Sequence, residues 1–428
     1  MKVNSMKRYG KPILYTAIFL LGLTFIPGIP PHAKYTEYHI TEPRELETFA
    51  GLNPRGLDNP QFIFHGKIKG PQSFASYEGK LYTGSRGGYV LRIDENQLVP
   101  VAYYGKDCDS SWENPECARP MDLKFDGNGY LYVCDAYYGI FKINVTTGIY
   151  EQIVYSSEAI EGVTPKLINS LDIDRNGHIY WTETSSDFNL RNLIYYCFAD
   201  PSGRLILYNS TSKKNQVLIR DIAANGVALS ENEDFVIVGD TTRHQIIKYN
   251  IKGPKMGTSE LLIDGLPGAP EHIHSDGNGG FVMPLLKFPI YPWGRPDFPN
   301  FRRLTARFIY FFQSPLRWIE SSGNYGLIKW LPNFQNVKST AFFMKKIAIV
   351  VRFTSNGEIL ETSHNSDKEI SFTTTAHVHD QFLWLGSPIP EFLTRVPLKQ
   401  ALPQLVATNT FKVTPNDPDD CLLEKQNM

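Results

Sequence analysis

The chain has no excess of charge of either sign. Its 428 residues carry 43 Lys and Arg against 44 Asp and Glu, a net charge of −1. That balance excludes nucleic acid as a partner, because phosphate backbones are bound through basic patches. Cysteine is scarce, at five residues. Cys108 and Cys117 bracket a short polar loop, DSSWENPE, and are expected to form a disulfide. Closing that loop would stabilise the fold by roughly 2.5–3 kcal/mol if its effect is entropic. Cys134 falls in an expected strand as a small buried hydrophobe, and Cys197 and Cys421 have no evident partner. Long charge-free runs are missing too, except between Pro12 and Pro30, where Lys2, Lys7, Arg8 and Lys11 precede the run. As a helix that run would reach roughly 28 Å, about one hydrocarbon thickness. The basic flank keeps the N-terminus cytosolic. A signal-anchor transmembrane helix is therefore expected over 12–30, behind a cytosolic segment 1–11, with single-pass type II topology. A cleaved signal peptide is the competing reading. Either one sends the rest of the chain into the secretory lumen or outside the cell, where Asn144 and Asn209 are glycosylation sequons.

What the chain does have is a recurring phrase. An apolar lead-in is followed by an Asp/Asn-Gly turn, a β-branched or aromatic strand, a small-residue turn, another strand and a Gly. The clearest copy runs from Met121 to Asn144; others start near Asn169, Asn225 and His272, and looser ones near Gln72 and Thr373. Gly-bounded runs of alternating apolar residues are successive antiparallel strands. Six such units in series predict an all-β, six-bladed β-propeller over residues 60–400. A linker over 31–59 and a tail over 401–428 complete the chain. The high aromatic content, 13% of residues, suits a sheet-rich core.

The repeat also predicts which side chains meet at the axis. Residues seven or eight positions before each turn start the innermost strands: Gln72, Met121, Asn169, Asn225, Glu271 or His272, and Thr373 or Thr374. Most are polar, in strands that are otherwise apolar. The fifth unit is interrupted over 285–335 by a segment rich in Pro, aromatics and Arg. Phe301, Leu304, Phe308, Phe311 and Phe312 form a helical stripe there, with Arg302, Arg303 and Arg307 off it. That pattern suits a lid over one end of the channel or a membrane interface, and the two are compatible.

Several phrases resemble the strictosidine synthase-like family. They are Cys117-Ala-Arg-Pro-Met-Asp-Leu with Val133-Cys-Asp-Ala-Tyr-Tyr-Gly, then Asn225-Gly-Val-Ala-Leu-Ser, Thr241-Thr-Arg, Lys252-Gly-Pro-Lys-Met-Gly and Leu266-Pro-Gly, and lastly His379-Asp with Leu383-Trp-Leu-Gly-Ser. The anchor and the long fifth unit are similar to the subgroup typified by adipocyte plasma membrane-associated protein. The resemblance implies a six-bladed propeller related to paraoxonase and gluconolactonase, often with a channel Ca²⁺. It also implies weak hydrolysis of aryl esters or lactones. Asn169 and Asn225 match the family's metal-binding Asn positions. Gln72 stands where the family has Glu, Glu271 where it has Asp, and His272 where it has Asn. Fewer charges and a nitrogen donor weaken a Ca²⁺ site, so Ca²⁺, a softer metal and no metal all stay open for the set Gln72, Asn169, Asn225, Glu271 and His272.

The glutamate base of strictosidine synthase itself is missing. The stretch Thr373–Asp380 carries no carboxylate before its turn, which excludes the amine–aldehyde condensation. Nor do Pro120-Met121 and Cys134-Asp135-Ala136 supply paraoxonase's histidines. Glu271 and His272 are the catalytic candidates, and His377 and His379 are further bases. Two functions are expected: a membrane-anchored esterase or lactonase of the arylesterase type acting on a small ester or lactone, or a non-catalytic binding or scaffold protein of the secretory pathway or cell surface.

Overall fold

The computed structural model describes residues 2–106, 117–287, 296–321 and 346–410, without the side chains of 2–10, 317, 320, 321, 409 and 410. The strands form six sheets around one axis, a six-bladed β-propeller. Blades 1 to 4 are four-stranded and run in order along the chain. They begin with the innermost strands Phe74–Tyr77, Pro120–Phe125, Leu167–Ile173 and Ala224–Leu229. Blade 5 has a broken innermost strand, Ala269–Pro270 and His274–Ser275, followed by Gly280–Leu286, Ile349–Thr354 and Ile359–His364. Blade 6 closes the ring. Thr375–His379, Phe382–Gly386 and Leu393–Pro397 come from the C-terminal part, and the outer strand Gln61–Ile63 comes from the N-terminal part. That exchange ties the two ends of the chain together and leaves no open edge between first and last blade.

The repeated turn has a local cause. Asp126 Oδ1 accepts from the backbone N–H groups of Asn128 and Tyr130 at 2.8 and 3.2 Å. Asp174 does the same for Asn176 and His178, and Asp276 for Asn278 and Gly280. The turn needs left-handed backbone, which Gly127 supplies at φ +80° in blade 2. Asp126→Ala removes both acceptor bonds and should destabilise the protein by about 1 kcal/mol. Asp126→Asn keeps an acceptor and should lose less; equilibrium urea unfolding of the two variants measures the difference.

Four segments differ from the sequence reading. The N-terminal helix spans Lys2–Phe25 and does not continue to residue 30. Pro27, Pro30 and a left-handed Gly28 (φ +78°) end it, since proline cannot donate to the helical ladder. From Pro12 its apolar part would measure about 21 Å. Among the described residues no helix is long and apolar enough to cross a membrane. The interruption of blade 5 starts after Leu286 and ends before Ile349, wider than 285–335 on its C-terminal side, and contains the helix Pro299–Ser321. The linker is packed rather than loose: Leu46, Phe49 and Leu57 are buried, and Leu52–Asn53 adds a parallel strand to blade 5. The tail is likewise part of the core as far as it is described. Ala401, Leu402 and Leu405 are buried with Leu57, Val350 and Leu383.

Candidate functional site

The innermost strands start around one end of the channel, and there the sequence-predicted ring comes together. Gln72, Met121, Asn169, Asn225, Glu271 and Thr374 line one cavity of about 80 Å³. Thr373 is buried nearby and its hydroxyl has no partner among the described residues. The roof comes from Leu190, Leu193, Tyr196 and Cys197. These belong to a helical detour between Ile179–Ser185 and Gly203–Asn209 of blade 3. The sequence reading missed this roof, and its one signal was the break in strand pattern between residues 186 and 202. Burial pushes the Cys197 thiol up to about 12, so it is no nucleophile at neutral pH.

Neighbouring residues on a strand point opposite ways, and Glu271 and His272 part company accordingly. Glu271 faces the cavity. Burial pushes its carboxyl up to about 8, against the pull of a hydrogen bond with Asn225. His272 lies below the cavity, fully buried, and donates through Nε2 to Asn169 Oδ1 at 3.0 Å. Asn169 in turn donates through Nδ2 to Thr184 Oγ1 at 2.7 Å. Burial lowers the His272 imidazole more than the nearby Asp122 raises it, so the ring is neutral at pH 7.

Beneath this layer sits a carboxylate that the sequence reading did not single out. Asp122 accepts from Ser73 Oγ at 2.6 Å, from the Leu123 N–H at 2.9 Å and from Ser170 Oγ. It therefore bonds to blades 1 and 3 from blade 2. His272 Nδ1 is 4.0 Å from its Oδ1. His377 and His379 stand three to five residues further along the inner strand than Thr374, roughly 10–16 Å away from the cavity. Ser76 Oγ lies 2.7 Å from His377 Nε2 and 2.8 Å from His379 Nδ1. These two histidines belong to the opposite end of the channel and cannot serve Glu271.

The family's channel cation would sit among Gln72, Asn169, Asn225, Glu271 and His272. Asn225 Oδ1 is buried and has no partner among the described residues, as a ligand oxygen would. Asn169 Oδ1, however, is already taken by His272. The set offers one carboxyl, which burial keeps largely protonated at pH 7, and an imidazole nitrogen. Calcium needs six to eight oxygens, usually with carboxylates among them. These donors do not fit Ca²⁺ in this arrangement. Among the described residues, no group of three or more His, Cys, Asp or Glu could hold a metal ion.

Asn144 and Asn209 occupy equivalent places, each ending the third strand of its blade. Each Oδ1 accepts from two amides of the following turn, at 2.9–3.0 Å, which leaves Nδ2 outside those turn bonds. Cys117 is buried, while Cys108 lies outside the described residues.

Comparison with known proteins agrees with the resemblance. The strictosidine synthase family matches residues 169–254, which covers blade 3 and most of blade 4. The adipocyte plasma membrane-associated protein Hemomucin of Drosophila melanogaster is 33% identical over 404 residues, 90% of this chain and 68% of its own length. The adipocyte plasma membrane-associated protein of Homo sapiens is 27% identical over 348 residues, 80% of this chain and 79% of its own. Among solved structures, a gluconolactonase of Xanthomonas campestris covers 87% of this chain and 99% of its own at 13% identity, with a TM-score of 0.47.

Proposed function

Because the chain belongs to the adipocyte plasma membrane-associated protein family of strictosidine synthase-like propellers, we propose that its channel hydrolyses a small ester or lactone, with Glu271 as general base. One observation carries this reading. A carboxyl whose pKa burial lifts to about 8 faces an apolar cavity at the channel end. A base is most effective when its pKa lies near the operating pH, and this one is matched to mildly alkaline water. Ionised Glu271 takes a proton from the attacking water. The carbonyl oxygen then gains charge and needs a donor. Gln72, which lines the same cavity, carries a side-chain amide able to supply one. A glutamate there would repel the oxyanion, so the amide suits a site without a metal. When the intermediate collapses the ester C–O bond breaks, and protonated Glu271 gives its proton to the departing alkoxide; Asn225 holds Glu271 in place, and no step needs His272. Phenyl acetate and a γ-lactone, offered to the purified protein with and without chelator, test the reading. Hydrolysis that survives chelation supports it, and hydrolysis that needs added Ca²⁺ counts against it.

The setting is a membrane of the secretory pathway, reached through residues 12–30 in type II topology, and the relatives' names agree with a membrane setting. In that setting Asn144 and Asn209 carry glycans and Cys108 pairs with Cys117. Glycosidase should lower the apparent mass, alkaline carbonate should leave the protein with membranes, and non-reducing peptide mapping should recover one linked pair. Carbonate extraction would favour a cleaved signal peptide instead, and free thiols at both cysteines would remove the disulfide.

A further inference from the structure

The helix Pro299–Ser321 is inside out for a protein surrounded by water. Its inward side is polar or small. Arg302 is fully buried and donates to the Phe198 carbonyl at 2.8 Å, to the Asp200 carboxylate at 3.0 Å and to the Thr36 carbonyl. Gln313 is buried and accepts from the Tyr195 hydroxyl at 2.9 Å. Ala306 packs with Tyr195 and Phe198. The opposite side is aromatic. Phe301, Phe308, Phe311, Phe312 and Trp318 are exposed, Trp318 by 72%. At about 100° per residue these five share one arc, and Arg302, Ala306 and Gln313 share the arc facing it. The helix thus backs the cavity roof through its arginine side, and its aromatic stripe faces away from the propeller.

The N-terminal helix joins the same surface. The Phe19 and Phe311 rings meet edge to face at 5.4 Å. Arg307 donates to the carbonyls of Leu23, Thr24 and Ile26 at 2.9–3.0 Å. Those carbonyls close the helix end, where no further turn could bond them. Ile13, Leu14, Tyr15, Ile18 and Leu21 are exposed around more than half of that helix. Most exposed large apolar side chains of the described residues lie on these two helices or beside them.

We propose that the two helices form one apolar seat in a phospholipid bilayer, with the aromatic stripe of Pro299–Ser321 lying in the interface and the roofed end of the channel turned toward the membrane. Two observations select lipid as the occupant. A helix that is apolar around most of its girth is not satisfied by a single neighbouring protein surface, whereas hydrocarbon surrounds it. Across the two segments Glu320 is the sole acid, and without Arg302, which pairs inward with Asp200, seven Lys and Arg remain to complement anionic headgroups.

The test reconstitutes the full chain in vesicles of phosphatidylcholine and phosphatidylserine carrying a photoreactive acyl chain. Lipid label should be recovered on the peptide that contains Phe301 to Phe312 as well as on the N-terminal helix. Label on the N-terminal helix alone would overturn the proposal. So would cross-links through the aromatic face to a second copy or another protein without lipid label. Replacing Phe308, Phe312 and Trp318 with Ser should cut label on that peptide about tenfold and leave the melting temperature in detergent unchanged, because these side chains face outward. Unchanged label in that variant would also sink the idea.

Discussion

Glu271→Gln should melt well above the parent protein at pH 8 and at almost the same temperature at pH 4. The sign follows from linkage. The folded carboxyl titrates near 8 and the unfolded one near its ordinary value of 4.5. Below 4.5 both states hold the proton, and burial of the neutral acid carries no pH-dependent penalty. Between 4.5 and 8 the unfolded state releases its proton and the folded state does not, so stability falls as pH rises through that window. Each unit of separation is worth about 1.4 kcal/mol, which makes the penalty on the order of 3 kcal/mol at pH 7. Gln has the same shape and no charge, so the variant escapes the penalty. Thermal scans of both proteins across pH 4–9 measure the gap directly. A gap of equal size at both ends of that range would mean that the Glu271 carboxyl titrates alike in the folded and unfolded protein, and the base assignment would fall with it.

Restoring the family's channel residues should create a calcium site where this chain has a poor one. The variant Gln72→Glu, Glu271→Asp, His272→Asn is expected to bind Ca²⁺ one to two orders of magnitude more tightly, about 1.4–2.7 kcal/mol. It gains a second carboxylate and so more charge at the site. It also loses the imidazole whose Nε2 now occupies Asn169 Oδ1, which frees an oxygen already pointed into the ring. Exchanging nitrogen for oxygen suits a hard cation. Calorimetric titration reads the affinity. The melting temperature in millimolar Ca²⁺ should rise in the variant and stay level in the parent, because a ligand stabilises only the state it binds. Tight Ca²⁺ binding by the parent, unimproved in the variant, would mean that His272 is not the residue that blocks the site.

The blades were legible in the sequence because their punctuation is local. Asp126, Asp174 and Asp276 each accept bonds from amides two and four residues on, so one short window holds the whole turn. The ring positions followed from counting back along strands. Asp122 was not legible, since its partners Ser73 and Ser170 lie 49 and 48 residues away in other blades. The cavity roof escaped for a similar reason: Leu193 and Tyr196 gain their role only where blade 3 folds over the axis. The stripe on the helix around Phe308 was visible as a period. Periodicity fixes that one face differs from the other, but it cannot say which face turns inward. Here Arg302 finds Asp200 and two carbonyls, and those partners decide it.

The central claim is that Glu271 acts as a base in the channel, and the pH profile of ester hydrolysis tests it most directly. Phenyl acetate turnover by the purified protein should rise with pH, reach half its plateau near pH 8 and persist in chelator, while Glu271→Gln falls by about a hundredfold or more. Turnover equal in the two proteins, or none above the uncatalysed rate in the parent, would contradict the account and leave the channel as a binding site.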